Sequence, residues 1–366
     1  MDVLRDLWAF TVGSWLNVLL LFVPISLGLE YLGFPPTWVF VAAAIAIIPL
    51  AGLIGKATEA TAEYTGPGLG GLLNATFGNA TELIIALLAV GQGLYTVVKA
   101  SITGSILGNM LLVLGMSMLV GGWGRDRQHF SRTAAGASTS MLMLAATALI
   151  MPAVWDLVVV GQLGQFNPMV EEISVMAAVV LLLTYIASLV FSLITHRDLF
   201  TGSGQRREGE PHSTLAGALT LLALATVVTA VEAEILVGSI EPAAKALGLT
   251  DLFIGVVIIA IIGNAAEHFA AVLVAARGHM DLAFNIAIGS STQVALLVAP
   301  VLVFASLAHA GPPMDLVFNP FEIVALTLAV LSVSLVTLDG ESNWFEGIQL
   351  IAVYLILAIA FYFVPA

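Results

Sequence analysis

Two stretches decide how this chain is read: GNATELIIALLAVGQG, Gly78–Gly93, and GNAAEHFAAVLVAARG, Gly263–Gly278. Each sets an asparagine and a glutamate beside a long apolar run. An isolated charge at the centre of a bilayer costs roughly 2.5–3.5 kcal/mol on insertion scales. A sequence that places one there twice, inside the same short motif, needs a reason.

The surroundings of the motif are hydrocarbon-like throughout. The 366 residues are 60% hydrophobic and 10% charged, and mean hydropathy is +1.05. Soluble domains carry about 25% charged residues. Apolar runs of the length that crosses a bilayer as a helix recur along the chain. The alternating pattern of a membrane barrel is absent. The expected fold class is an all-α polytopic membrane protein with eleven transmembrane helices. The predicted spans lie near 9–29, 36–54, 69–91, 97–120, 134–155, 173–195, 213–232, 251–276, 282–308, 320–337 and 346–364.

Composition also excludes functions. A formal net charge of −13 with no basic patch leaves no footprint for nucleic acid. Without cysteine there is no disulfide, thiol chemistry or thiolate metal site. No nucleophile–base arrangement is visible, so an enzyme is not expected, and no cofactor is called for. The start of the chain, MDVLRDLWAF, has no basic region followed by a small-residue cleavage site, and its first span reads as an uncleaved signal.

A shift of 185 positions superposes the two stretches. Gly78, Asn79, Ala80 and Glu82 meet Gly263, Asn264, Ala265 and Glu267. Gly104 and Ser105 then meet Gly289 and Ser290, and Leu111–Val113 meet Leu296–Val298. Leucine and alanine matches mean little in membrane chains, but asparagine and glutamate are rare in apolar helices. The motifs fall on the third and eighth predicted spans, an odd offset, so the copies run oppositely through the membrane. Inverted repeats of this kind are a feature of secondary transporters, with the binding site near the midplane. The expected organisation is an extra helix at 1–32, a first repeat at 33–194, a linker at 195–213 and a second repeat at 214–366.

Lysine and arginine give the orientation. Arg5, Lys56, Arg125, Arg127, Arg132, Arg197, Arg206, Arg207 and Arg277 fall on one side of an eleven-span arrangement, and only Lys99 and Lys245 on the other. The N-terminus and linker are therefore expected in the cytoplasm and the C-terminus outside, with the chain crossing the membrane many times.

Chemically, Glu82 and Glu267 must be neutralised by a proton or a cation, since no lysine or arginine lies within the core of a span. Ca2+ takes about 6–8 oxygen ligands from carboxylates, amides, backbone carbonyls and water. Asn79 and Glu82 stand three residues apart on one helical face, as do Asn264 and Glu267. Gly78 and Gly263 could permit local unwinding that frees backbone carbonyls. The all-oxygen donor set suits Ca2+ as transported substrate, with Mn2+ and Mg2+ remaining open. Without a metal, two carboxylates in a low-dielectric setting favour their protonated forms, and metal binding displaces those protons. Occupancy by either a divalent cation or protons is the minimum an antiporter requires.

A second polar layer follows on the next span of each half: Ser105 and Asn109, then Ser290 and Gln293. These groups either line a passage or serve helix packing, as the two asparagines of the motif also could. His268 lies one residue beyond Glu267, on another face, as a packing or proton-relay group. Glu59 and Glu63, one turn apart in KATEATAEYTGPG, form either a cation-attracting cytoplasmic mouth or an ordinary solvated face. Glu232, Glu234 and Glu241 read as the corresponding region outside. The implied partners are Ca2+, H+ and the lipid bilayer, and a homo-oligomer is compatible with this reading.

The stretches Gly71–Leu87, Val98–Gly115, Gly263–His268 and Asp281–Pro300 resemble the two repeat motifs of the Ca2+/H+ antiporters, the CAX branch of the cation/Ca2+ exchanger superfamily. The likeness extends over nearly the whole chain. It implies eleven helices, one extra helix followed by two inverted five-helix repeats, and alternating access through hydrophilic cavities, the first helix of each repeat sliding against the core. It implies that Glu82 and Glu267 bind Ca2+ and carry protons, assisted by Asn79 and Asn264. In the related Na+/Ca2+ exchangers proline usually precedes the motif glutamate. Thr81 and Ala266 stand there in this chain, which favours protons. The 195–213 linker matches the family's acidic inter-repeat segment only loosely, because it also holds arginine. The long N-terminal regulatory extension of plant members has no counterpart, which suggests a prokaryotic type of the plasma (inner) membrane without autoinhibition. The alternatives are a Na+/Ca2+ or other divalent cation exchanger and, further off, a Ca2+ leak channel.

Overall fold

The computed structural model describes residues 6, 7, 10, 14–161, 167–196, 213–309 and 311–365. These residues are almost entirely helical. A 3-10 turn, Trp15–Leu21, leads into α1 (Phe22–Tyr31), followed by α2 (Pro36–Phe77), α3 (Ala80–Gly91), α4 (Tyr95–Leu107), α5 (Leu114–Gly122), α6 (Arg132–Trp155) and α7 (Pro168–Val190). After the linker come α8 (Leu215–Leu247), α9 (Ala260–Ala276), α10 (Met280–Gln293), α11 (Ala299–Ser306), α12 (Pro320–Val336) and α13 (Trp344–Tyr362). Among the described residues, eight continuous helical segments are long and apolar enough to cross a membrane, and three shorter apolar helices accompany them, Trp15–Tyr31, Ala80–Gly91 and Pro320–Val336. The linker predicted at 195–213, with Arg197, Arg206 and Arg207, lies almost wholly outside the described residues, as does Arg5.

The third predicted span is not one helix. It is interrupted at Gly78–Asn79, and α3 starts afresh at Ala80. Before the break, α2 doubles back on itself. A Cβ built on Gly70 would lie 2.8 Å from the carbonyl oxygen of Ala62, although eight residues of straight helix would separate them by about 12 Å. Residues 36–54 and 69–77 thus lie on the two arms of α2.

The contacts divide the chain into two compact units. The first comprises Met1–Leu88, Leu189–Leu249 and Ile262–Ala266. Its core packs Leu53, Ile54 and Ala57 of α2 with Leu221, Leu222 and Ala225 of α8, and Ala80 joins them. Between membrane helices such contacts contribute van der Waals packing, since lipid tails are as apolar as the side chains themselves. Thr214 caps α8, accepting from Gly217 N at 3.0 Å, and is itself held by Asp6 Oδ2, 2.8 Å from its hydroxyl. The structure extends α8 well beyond the predicted 213–232. Glu232 looked like an interfacial charge that would end the span, but it is fully buried and accepts a 2.6 Å hydrogen bond from Ser26 of α1. The helix instead stops at Gly248, whose φ of +68° is open to a residue without Cβ. Glu234 and Glu241 are exposed, as expected.

The second unit comprises Ala89–Ser188, Thr250–Ile261 and Glu267–Ala366. Here glycines bring backbones into contact, as in small-residue membrane packing. A Cβ on Gly104 of α4 would lie 2.0 Å from the carbonyl oxygen of Val256, and one on Gly347 of α13 would lie 2.5 Å from that of Gly115. Two short strands, β1 (Gln128–His129) and β2 (Glu341–Ser342), pair antiparallel beside the ion pair of Arg127 and Glu341 at 2.7 Å. At another point Lys99 bonds both Asp315 and the Val317 carbonyl at 2.9 Å.

One local pattern occurs twice in this unit. Helix α4, a π turn at Gly108–Val113 and α5 form one continuous segment. Helix α10, a π turn at Val294–Val298 and α11 form another. Tyr95 and Leu114 begin the first pair of helices, Met280 and Ala299 the second, 185 residues later in each case. The π turns interrupt the i→i−4 ladder at positions related by the same shift that relates the two motifs.

Candidate functional site

The break at Gly78–Asn79 places Glu82 in the first turn of α3. Unsatisfied amide N–H groups at a helix start favour a carboxylate by about 0.3–1 kcal/mol. Gly78 itself retains helical dihedrals, φ −55° and ψ −44°, so the helix is interrupted without being unwound. Asn79 is buried at 2% exposure, and its carbonyl accepts from Leu83 N at 3.0 Å. Thr81 is buried beside it.

Within the same unit, the second copy of the motif reaches Glu82. Asn264, 1% exposed, donates through Nδ2 to Glu82 Oε1. Its neighbour Gly263 makes the approach feasible. A Cβ there would lie 3.0 Å from Glu82 Cγ and 3.8 Å from Oε1. The sequence suggested unwinding at Gly263, but α9 runs unbroken from Ala260 to Ala276. The glycine is needed for clearance: the acid of one copy sits where the other copy has no side chain. Any departure from α geometry lies upstream, in the π turn Ile254–Ile259.

The second unit holds Glu267, His268, Ser105, Asn109, Ser290 and Gln293. Glu267 and His268 lie half-buried on α9. The His268 ring approaches Gly108, with Cε1 and Nε2 each 4.0 Å from a Cβ built there, and Nε2 is buried without a hydrogen-bond partner among the described residues. Asn109 lies in the π turn that follows, 1% exposed, and donates through Nδ2 to Ser290 Oγ at 3.0 Å. Ser291 adds a 3.3 Å bond to the Ile106 carbonyl. The predicted polar layer is therefore a real contact between the two repeated helical segments, and Ser291 belongs to it although the motif alignment passed over it. Ser105 is buried on α4, and Gln293 closes α10 half-buried. Glu59 and Glu63 stand exposed on α2, in the first unit.

Among the described residues no three or more His, Cys, Asp or Glu side chains cluster as a metal site. Any cation bound here would draw on amide, hydroxyl and backbone oxygens along with carboxylate, which suits a hard ion and does not suit zinc.

An interrupted helix presenting its N-terminus at a carboxylate, with duplicated Asn–Glu motifs, is the architecture of a multi-pass ion transporter. Residues 35–194 and 217–363 match the family described as sodium/calcium exchanger protein, and the chain belongs to that family. It is 46% identical over 364 residues to a Synechocystis sp. protein named Ca2+/H+ antiporter, covering 95% of this chain and 97% of that one. It is 42% identical to the Bacillus subtilis Ca2+/H+ antiporter ChaA, over 93% of this chain and 96% of the relative. The solved structure of native YfkE superposes with a TM-score of 0.82 at 39% identity, covering 95% of this chain and all of that one.

Proposed function

We propose that this protein is a secondary transporter that exchanges cytoplasmic Ca2+ for external protons by alternating access. The observation that carries this reading is the bond between Asn264 and Glu82, in which one motif copy partners the acid of the other. Duplication of a packing contact would not require a glutamate. A group that must alternate between proton and cation does. The names of the relatives from Synechocystis and Bacillus subtilis point to the same ions.

Each element has a task in this account. Glu82 and Glu267 are the exchange sites, neutral when protonated and anionic when they hold Ca2+. Asn264 tethers Glu82 through its amide N–H, and Asn79 and Asn264 offer carbonyl oxygens to the ion. Ser105, Asn109, Ser290 and Gln293 line the route with neutral donors, which do not trap a divalent cation as a further acid would. His268 is a packing or relay group beside Gly108. Eleven helices, with the two halves at 33–194 and 214–366 inverted with respect to each other, supply the two-sided access. The matched helix, π turn and helix segments at Tyr95–Gly122 and Met280–Ser306 support the repeat. The N-terminus is cytoplasmic and the C-terminus external, from the distribution of lysine and arginine.

Glu82→Gln tests the reading. The amide keeps the shape of the side chain and cannot exchange a proton for a cation. Purified protein reconstituted in vesicles should lose proton-driven Ca2+ transport on this change, and retained transport would refute the assignment.

A further inference from the structure

The second unit has a lateral groove of about 810 Å3 bordered by α6, α7 and α12. Arg132 stands at one end, and Gly136, Met143, Leu144, Val180 and Leu338 form much of its wall. Hydroxyl groups also line it, but they are turned inward. Thr139, Thr147, Ser334 and Thr337 donate to carbonyls one turn back on their own helices, at 2.6–2.8 Å. The wall therefore offers hydrocarbon a surface with its polar hydrogens already used.

Arg132 is different. It is exposed, and no hydrogen bond or ion pair engages its guanidinium among the described residues. None of the nearby acids bonds Arg132: Glu341 pairs with Arg127 at 2.7 Å, Asp281 accepts from the backbone N–H of Ser131, and Asp339 accepts from the backbone N–H of Glu341. Arg132 is also the first residue of α6, where the positive end of the helix adds to its charge. The lining residues Arg132 to Ala148 span sixteen positions of one helix, or about 24 Å. One leaflet contributes about 15 Å of hydrocarbon. The groove thus has a cationic head at the membrane surface and an apolar trough longer than a leaflet.

We propose that the groove binds an anionic phospholipid, its phosphate on Arg132 and an acyl chain along Gly136, Met143 and Leu144. Guanidinium–phosphate pairing can be bidentate, and basic pockets between membrane helices are suited to anionic headgroups. A zwitterionic lipid brings its own cation to the same place and gains less. The leaflet is the cytoplasmic one if the proposed orientation holds, but the binding itself does not depend on that orientation.

The test is native mass spectrometry of the purified full chain titrated with dioleoylphosphatidylglycerol or dioleoylphosphatidylcholine. The expected result is about five-fold better retention of phosphatidylglycerol, the worth of one interfacial arginine facing anionic lipid. Arg132→Gln should erase that preference. Gly136→Leu should abolish retention of both lipids, since a Cβ at Gly136 meets nothing within 4 Å and a larger side chain fills the groove without disturbing the fold. Equal retention of the two lipids by the wild type, or an undiminished preference in Arg132→Gln, would overturn the proposal. So would a change of oligomeric mass in Gly136→Leu with lipid retention intact, which would give the groove to a second copy of the chain.

Discussion

The side-chain amide of Asn264 donates to the carboxylate of Glu82, joining residues 182 positions apart that occupy different places in the same motif. A hydrogen bond to a charged group is worth about 1.5–3 kcal/mol. Asn264→Ala should therefore weaken apparent Ca2+ affinity by about 10- to 100-fold, with the protein still folded. Initial rates of Ca2+ uptake across a concentration series read this directly, and an unchanged KM would remove Asn264 from the site.

The glycines make a sharper test because their surroundings differ. Gly263→Val should abolish transport, since even a Cβ would crowd Glu82 Cγ at 3.0 Å. Gly104→Ala should lower the yield of folded protein, because its methyl would lie 2.0 Å from the Val256 carbonyl. Gly289, its counterpart 185 residues on, has open space around it, and Gly289→Ala should fold and transport normally. Size-exclusion profiles and transport assays on the three variants check the set.

Ser26 and Glu232 fasten α1 to α8. Leaving a buried polar group without its partner costs about 1–3 kcal/mol. Ser26→Ala should lower the midpoint of thermal unfolding by several degrees while leaving the Ca2+ dependence of transport in place. A changed KM without loss of stability would mean that the pair serves transport.

Competition between protons and Ca2+ fixes the sign of the pH dependence. Lowering pH on the Ca2+-loading side protonates the carboxylates and should raise the KM for Ca2+, by up to about 100-fold per pH unit if two protons leave for each ion. Raising the pH should lower KM until the sites are fully ionised. Kinetics at several pH values with the other compartment held constant measure this slope, and a flat profile would argue against a shared site.

Much of this was legible in the sequence because membranes make polar residues conspicuous. Glu82, Asn79, Glu267 and Asn264 stand out against hydrocarbon, and the 185-residue shift relates the two pairs. Asn109 and Ser290 were placed in one polar layer, and their hydrogen bond is in the structure. What the sequence could not convey was three-dimensional clearance. Gly263 looked like a site of unwinding because glycine permits that, whereas its missing Cβ makes room for Glu82. Glu232 looked like an end-of-span charge because its partner, Ser26, lies 206 residues away. The sharp fold of α2 between Ala62 and Gly70 likewise depends on packing and leaves only a Gly-Pro-Gly sequence as its trace.

The central claim is best tested by uptake of radiolabelled Ca2+ into inverted membrane vesicles with an imposed acid-inside proton gradient. The account predicts uptake that appears with the gradient, stops when nigericin and K+ collapse it, and is absent in Glu82→Gln. Uptake that ignores the proton gradient and follows a Na+ gradient instead would contradict it.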